Sequence, residues 1–486
     1  MPPIIVKPVT CPVCGCVCDD IECTVEDGKI IRAKNACAVS AMKFLKFNSE
    51  HRIKSPMIRK NGELVPVTLE EAIDKAAELL ANAKYPTLYG WGSTNCEAQR
   101  VGIALAEEIG GILDNCATQC HGPSVYGIQA AGFPTATLGQ LRHRADLVLY
   151  WGCDPMNSHP RHLQRYTVGA EGRFIKADWN ERIARTRDPN AKKQTLAEIA
   201  QELKQHKIPE VPGIPTAESN IPKTTRKVIH VDIRKTRTSE LSDYFIQIEP
   251  NKDFEVFQAL RMIVNDQELD VDSVGGIPVE ELHDLADVLV SCTYGVLHHG
   301  LGLTSSAGKH HNIDAGINLV RDLNLKTKFS EMPLRGHFNV TGATNATSTA
   351  YTGYPTGVDF ALGYPRSNPG ETTIIDALLR KEIDVSLVLG ADPVSNFPHR
   401  AAEHMVKNPL IVIDPHFNAT SHMADILIPS AFVGMEEGGT AYRMDNTPIP
   451  LKKVVDPPPG IKTDEELLKM ILAKVKEIKA KKSGAA

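Results

Sequence analysis

Two stretches decide the reading of this chain: Asp146-Leu-Val-Leu-Tyr-Trp-Gly-Cys-Asp-Pro155 and Asp384-Val-Ser-Leu-Val-Leu-Gly-Ala-Asp-Pro393. Each is a short apolar run, the pattern of a strand buried on both faces, closed by Gly-x-Asp-Pro. Each continues into a Pro/His/Arg segment, Pro160-Arg-His162 and Pro398-His-Arg400. A second matched pair of runs ends in acids: Lys227-Val-Ile-His-Val-Asp232 and Leu410-Ile-Val-Ile-Asp414. A glycine and a carboxylate at the carboxyl edge of a sheet suit nucleotide binding. The glycine admits phosphate, and the acid takes sugar hydroxyls or base amines. The repeat therefore predicts two α/β halves, for two related ligands or one ligand between two lobes. A third run, Pro86–Tyr89, enters the glycine-rich turn Gly90-Trp-Gly-Ser-Thr-Asn95 and then a helix through Val101, Leu105 and Ile109. That is the strand–turn–helix unit of a doubly wound sheet.

The rest of the chain fits around these halves. Thr68-Leu-Glu-Glu71 has the pattern of a capping box, opening a helix with Leu69, Ile73, Ala76, Leu80 and Ala81 on its apolar face. Residues 179–226 differ: Arg182, Arg185, Arg187, Lys192, Lys193, Lys204 and Lys207 precede Pro209, Pro212, Pro215 and Pro222. This predicts an insertion with one helix, Leu196–Lys204, and a linker. Asp464–Lys482 predicts an amphipathic terminal helix, followed by a frayed tail from Ser483.

The 486 residues carry 54 Lys and Arg against 59 Asp and Glu, and 42% are hydrophobic. This is the balance of a globular protein of about three domains, with no basic footprint for nucleic acid. The absence of a membrane-length apolar run and of a secretory leader predicts a cytoplasmic chain whose thiols stay reduced. Eleven cysteines are present, and six fall in the first 37 residues: Cys11, Cys14, Cys16, Cys18, Cys23 and Cys37. Cys11, Cys14, Cys18 and Cys37 form C-x2-C-x3-C-x18-C. Four thiolates so placed suit a cubane iron–sulfur cluster or tetrahedral zinc. The spacing leaves Cys16 open as the third ligand in place of Cys18.

Candidate chemistry sits in two further stretches. In Cys116-Ala-Thr-Gln-Cys-His-Gly-Pro123, Cys120 and His121 precede a chain reversal. A thiolate there can bind a soft metal and the imidazole can handle a proton. In Pro333-Leu-Arg-Gly-His-Phe-Asn-Val-Thr-Gly342, Arg335 is a cation suited to a carboxylate. His298-His299-Gly300-Leu-Gly302 and His310-His311 lack metal-ligand spacing and read as loop or wall residues of a ligand pocket.

Taken together, these motifs resemble the molybdopterin oxidoreductases of the formate dehydrogenase type, and within them the branch that serves formylmethanofuran dehydrogenases. The resemblance is carried by Cys11-Pro-Val-Cys-Gly-Cys-Val-Cys-Asp-Asp20, Cys120-His-Gly-Pro-Ser124 and Thr352-Gly-Tyr-Pro-Thr-Gly-Val-Asp-Phe360. Gly363-Tyr-Pro-Arg-Ser-Asn-Pro-Gly-Glu371 and Glu437-Gly-Gly-Thr-Ala-Tyr-Arg-Met-Asp445 extend it. It covers about residues 8–180 and 227–455.

The resemblance implies an α/β fold of the formate dehydrogenase/DMSO reductase kind. An N-terminal iron–sulfur domain would span 1–55 plus about 430–455. Two doubly wound dinucleotide domains would follow, 56–117 plus 333–429 and 118–332, with a C-terminal helix and tail at 456–486. It implies a [4Fe–4S] cluster on Cys11, Cys14, Cys18 and Cys37, and tungsten or molybdenum on Cys120. Two molybdopterin guanine dinucleotides would rest on Gly92, Ser93, Asn95, Gly152, Cys153, Asp154, Pro155, Asp232, Arg234, Gly300, Gly302, Gly390, Ala391, Asp392, Asn396 and Asp414. Cys120, His121 and Arg335 would be the catalytic set, reducing carbon dioxide to formate.

The implied partners are a zinc amidohydrolase subunit that condenses formate with methanofuran, a small subunit supplying the family's closing β-barrel domain, and ferredoxin-like subunits. That barrel has no counterpart after Asp445. A catalytic chain of formate dehydrogenase is the alternative within the same fold. The family's dehydrogenase branch places an electron-relaying lysine two residues after the fourth cysteine. Here that position is Val39, and Lys43 is the available substitute.

Overall fold

The computed structural model describes residues 2–175, 184, 188, 190, 192–205 and 226–484. The arginines at 182, 185 and 187, Lys207 and the prolines at 209, 212, 215 and 222 lie outside the described residues. The insertion's helix is formed at Leu196–Gln205. The chain divides into two compact units, one of Met1–Gln119 with His337–Ala486, the other of Cys120–Gly336.

The second unit is built on a five-stranded parallel sheet. Its order is Tyr244–Gln247, Lys227–Asp232, Leu147–Trp151, Gly295–His299, Phe329–Pro333. Numbered along the chain this is 3-2-1-4-5, a doubly wound arrangement that reverses direction between Leu147–Trp151 and Gly295–His299. Every residue of Leu147–Trp151 is buried, as an apolar run covered by helices on both faces requires. Helices including Asp253–Val264, Val279–Ser291 and His310–Leu323 supply Phe257, Leu260, Leu285, Leu289 and Val320 to the core.

The first unit carries an eight-stranded sheet. Five strands are parallel, in the order Ile112–Asn115, Pro86–Gly90, Val385–Leu389, Leu410–Ile413, Ile426–Ile428. Along the chain this is 2-1-3-4-5, and the reversal falls between Pro86–Gly90 and Val385–Leu389. The antiparallel strands Val358–Asp359, Met57–Lys60 and Glu63–Pro66 close the edges. Thr68 caps helix Leu69–Asn82, accepting from Glu71 N–H at 3.1 Å. Asn95 caps Cys96–Ile109 from Ala98 N–H at 2.9 Å. The terminal helix Asp464–Gly484 packs on both, burying Leu467, Leu468, Ile471 and Val475. A three-stranded antiparallel sheet, Ile4–Val9, Ile21–Glu26 and Lys29–Lys34, holds the cysteine loop between its first two strands.

Candidate functional site: a thiol socket, two sheet-edge pockets and a cysteine loop

Cys120 opens the second unit, immediately before helix Gly122–Ala131, whose N-cap is His121 and whose first turn contains Pro123. Burial pushes the Cys120 thiol up to about 11, against the pull of the Arg335 guanidinium and of the Gly336 and His121 backbone N–H groups. The socket thus half-buries the sulfur and aims positive charge at it, a donor set that matches a thiolate on a metal ion. A bound cation inverts the effect of burial and leaves the thiol deprotonated.

Arg335 is 2% exposed. Three bonds hold the backbone that carries it. Leu334 N–H donates to His299 O at 2.8 Å, His121 Nε2 to Leu334 O at 3.0 Å, and His159 Nε2 to Arg335 O at 2.7 Å. Burial, with the His299 and Arg335 charges, drives His121 well below the usual imidazole range, so it is neutral. His298 and His299, read as loop or pocket-wall residues, form the end of the inner strand Gly295–His299 and are fully buried. Burial lowers His298 to about 3. His310 and His311 begin helix His310–Leu323 with their rings 4.0 Å apart.

The sheet reversal of the second unit is a pocket of about 380 Å³. Gly152, Cys153, Asp154, Asp232, Arg234 and Gly302 all line it. Gly152 has φ +56°, and a Cβ on Gly302 would lie 2.6 Å from Gly152 Cα, so the two loops touch backbone to backbone. Gly300 packs on Cys153. Pro155 is the first residue of the short helix that Asp154 caps. The Asp154 carboxylate accepts from the Thr238 hydroxyl.

In the first unit the corresponding reversal forms a pocket of about 170 Å³ lined by Ser93, Gly390 and Asp414, together with Lys43, Phe432 and Asp464. Asp392 accepts from Thr420 Oγ1 at 2.6 Å and Thr420 N–H at 2.9 Å. Ala391 lies between Gly390 and Asp392, and Asn396 Nδ2 bonds Asp392 O at 2.7 Å. Gly92 packs against Cys116 and His337, while Asn95 Nδ2 donates to Glu437 Oε1 at 2.9 Å. Burial raises Asp414 to about 7 and Asp464 to about 6. Carboxyl groups so placed can accept from the N–H edge of a pterin or guanine ring, and positive-φ glycines leave backbone accessible to phosphate. The two edges thus offer the acceptors and the open backbone that suit part of a nucleotide-like ligand.

The cysteine loop is drawn tight by Cys11 N–H to Cys18 O at 2.8 Å and Val17 N–H to Cys14 O at 3.0 Å. Burial first, then the neighbouring Cys18, Cys14 and Cys37 sulfurs, raises the Cys11 thiol, and Ser40 Oγ lies 3.0 Å from it. Cys16 belongs to the same crowd: a bond with Cys14, then burial, raises it. Cys23 stands apart on its strand, pushed up to about 12 by burial alone. Crowded thiols that repel one another's charge fit a cationic cluster. Among the described residues no three metal-ligating side chains converge tightly enough for a single ion.

Lys43, an exposed residue of helix Ala38–Lys46, lines the first pocket. Burial lowers it, while Asp414 and Cys11 draw it back up. Its Nζ lies 5.1 Å from the Phe432 ring centroid. Lys43 thus lines the pocket within reach of the Cys11 charge, whereas Val39 is 52% exposed and does not line it. Thr238, Thr420 and Glu331 have no motif to announce them and sequence reasoning missed them, while Ser124 closes the Cys120–Ser124 motif and Asp464 opens the terminal helix without either being read as a site residue.

Residues 52–474 match the family model for molybdopterin oxidoreductase. The chain is 42% identical to a subunit of the tungsten-containing formylmethanofuran dehydrogenase 2 of Methanocaldococcus jannaschii, over 98% of this chain and 99% of that one. It is 40% identical to the subunit of the same name from Methanococcus maripaludis, over 97% and 99%. Among solved structures, the formyltransferase/hydrolase complex of Methylorubrum extorquens, crystallised with methylofuran, contains a chain with TM-score 0.63 and 19% identity. The match covers 88% of this chain and 100% of that one, and it shows the fold alone. The chain belongs to the molybdopterin oxidoreductases. Within them it is a member of the family formed by these tungsten-containing formylmethanofuran dehydrogenase subunits, which are oxidoreductases. No helix among the described residues is long and apolar enough to cross a membrane.

Proposed function

We propose that this chain reduces carbon dioxide to formate, CO2 + 2e⁻ + H⁺ → HCOO⁻, as the redox subunit of a formylmethanofuran dehydrogenase. The observation that carries the reading is the Cys120 socket: a half-buried thiol facing Arg335 and two backbone N–H groups, with His121 adjacent. Cys120 would hold tungsten or molybdenum. The pockets at Gly152–Asp154 and Gly390–Asp392 would each hold one molybdopterin guanine dinucleotide, and Cys11, Cys14, Cys18 and Cys37 a [4Fe–4S] cluster. When bound, these groups supply two electrons at the substrate carbon.

The chain's own residues do the rest. Arg335, held in a dry site, binds the carboxylate of formate through charge-assisted bonds that are stronger than in water. His121, neutral and anchored at Nε2, keeps a fixed imidazole beside the thiolate for proton handling. Lys43, lining the first pocket within reach of the Cys11 charge, bridges the electron route that Val39 cannot serve. Formate then passes to a zinc amidohydrolase subunit for condensation with methanofuran. A small β-domain subunit completes the pterin site, and ferredoxin-like subunits bring electrons. The cytoplasm is the expected compartment.

The test is the purified complex assayed for dye-linked formate oxidation, with elemental analysis of the same sample. Turnover accompanied by one tungsten or molybdenum per chain supports the reading. Metal-free complex, or no turnover from metal-loaded complex, contradicts it.

A further inference from the structure

The peptide that joins Arg335 to Gly336 faces two ways. Its N–H, on Gly336, donates to the Cys120 sulfur. Its carbonyl, on Arg335, accepts from His159 Nε2–H at 2.7 Å. A carbonyl can only accept, so the hydrogen of this bond lies on the imidazole. One peptide plane thus carries a donor aimed into the thiol socket on one side and an anchor on the other.

His159 is buried, and its place is fixed from both sides. It occupies the turn between the short helices Pro155–Ser158 and Pro160–Tyr166. Its N–H bonds Pro155 O at 2.8 Å, and its carbonyl accepts from His162 N–H at 2.8 Å. Its Nδ1 lies 2.8 Å from Ser158 Oγ, which donates to Asp154 O at 3.0 Å. The anchor is therefore built on the Gly-x-Asp-Pro edge, whose Asp154 lines the second unit's pocket. The segment that it holds is soft. Gly336 is exposed, its φ lies outside the left-handed region, and a Cβ there would meet nothing within 4 Å. Rotating the peptide by about 180° turns φ of residue 336 toward positive values, which glycine tolerates and alanine resists. In the turned state the carbonyl oxygen replaces the N–H beside the sulfur. Its partial negative charge then opposes that of a thiolate.

We infer that His159 is a positioning residue for the reaction proposed above: it locks the Arg335–Gly336 peptide with its N–H toward the Cys120 sulfur, and so holds Arg335 in place for the carboxylate. This rests on that functional reading, which gives Cys120 and Arg335 their work. His159 itself acts only through the backbone of Arg335. An N–H bond to a metal-bound thiolate draws charge from the sulfur and raises the reduction potential of the metal. Losing that bond lowers the potential. A loosened Arg335 holds formate less well in the ground state and the transition state alike, which raises KM.

The test uses the intact complex carrying His159→Gln, His159→Asn or the double change His159→Asn/Gly336→Ala. The amide nitrogen of Gln reaches the place of imidazole Nε2 and keeps the donor to Arg335 O. That of Asn reaches only the place of Nδ1, so it keeps the contact with Ser158 and loses Arg335 O. Dye-linked formate oxidation, metal content, the midpoint potential of the bound metal by EPR-monitored titration and a crystal structure are read for each. We expect His159→Asn to raise KM for formate about 10-fold, to lower the midpoint potential and to show the Arg335 carbonyl turned. His159→Gln keeps the wild-type potential, with KM within about twofold of wild type. Adding Gly336→Ala to His159→Asn recovers most of the lost potential, because alanine resists the turned peptide. Wild-type KM and potential in His159→Asn overturn the inference, as does a loss in His159→Gln equal to that in His159→Asn. If His159→Asn loads no metal, loading regained with Gly336→Ala supports the lock, and loading not regained overturns it. If wild-type complex turns over no formate, the functional reading falls, and the orientation of the Arg335–Gly336 peptide in crystals of wild type and His159→Asn alone decides whether the lock exists.

Discussion

The two Gly-x-Asp-Pro edges are the same device built twice, and their differences are instructive. Gly152 and Gly390 have φ of +56° and +58°. Their N–H groups bond Val231 O at 2.9 Å and Ile413 O at 3.0 Å. Asp154 and Asp392 cap short helices that begin with proline, and each takes a threonine hydroxyl from the helix after the next strand. The surroundings then diverge. Gly152 is pressed against Gly302, with Leu303 N and Gly302 Cα within about 3 Å of where its Cβ would be. Gly390 has only Ser93 Cβ nearby, at 3.6 Å. The first unit's edge brings Lys43, Asp414 and Asp464 to its pocket, whereas the second unit's pocket is lined by Asp154, Asp232, Asp253 and Arg234. A shared backbone thus fixes where the ligand's phosphates can lie, and the neighbours decide what else each edge does.

The sharpest way to break this contrast is with alanine. Gly302→Ala forces a Cβ into the Gly152 backbone and is expected to cost about 3 kcal/mol or more, enough to abolish assembly of a loaded complex. Gly390→Ala meets only ordinary contact with Ser93 and carries the left-handed backbone penalty of about 1–2 kcal/mol. Thermal melts and metal content of the two variants measure the difference. Equal losses would erase the distinction between the edges.

A smaller effect follows from charge. Burial raises Asp414 to about 7, so between the unfolded carboxyl value of about 4 and pH 7 the folded state holds the extra proton. Its contribution therefore falls as pH rises through that window, and it is most costly above pH 7. Asp414→Asn removes this penalty. The variant is expected to gain of order 1–3 kcal/mol at pH 8 relative to wild type and nothing near pH 4, read from denaturation midpoints at each pH. A gain independent of pH would contradict the assignment.

The smallest effect tests the likeness itself. Thr238→Val and Thr420→Val each remove a hydroxyl from an edge aspartate. Each should cost about 1–2 kcal/mol, similar in the two halves. A large loss on one side only would show that the matched geometry does not mean matched energetics.

The repeat was legible in the sequence because its signals are local: a short apolar run, a glycine, an acid and a proline. Those same residues mark the sheet reversals of both units. The threonines that complete each edge were not legible, since Thr238 lies 84 residues from Asp154 and Thr420 lies 28 from Asp392, in segments with no distinguishing pattern. His298 and His299 read as loop or pocket-wall residues because they lack metal-ligand spacing. The fold keeps them in an inner strand because their ring nitrogens find carbonyl, hydroxyl and carboxylate partners. Glu331 is likewise the single acid in a buried strand, and only the folded chain reveals its partner. The edge strands Met57–Lys60 and Glu63–Pro66 carry too few apolar residues to announce themselves.

The central claim is that the Cys120 sulfur binds the metal. X-ray absorption at the tungsten or molybdenum edge, compared between wild-type complex and Cys120→Ser at equal metal loading, tests it most directly. The account predicts about five or six sulfur neighbours in wild type and one fewer in the variant. An identical sulfur shell in both would contradict it.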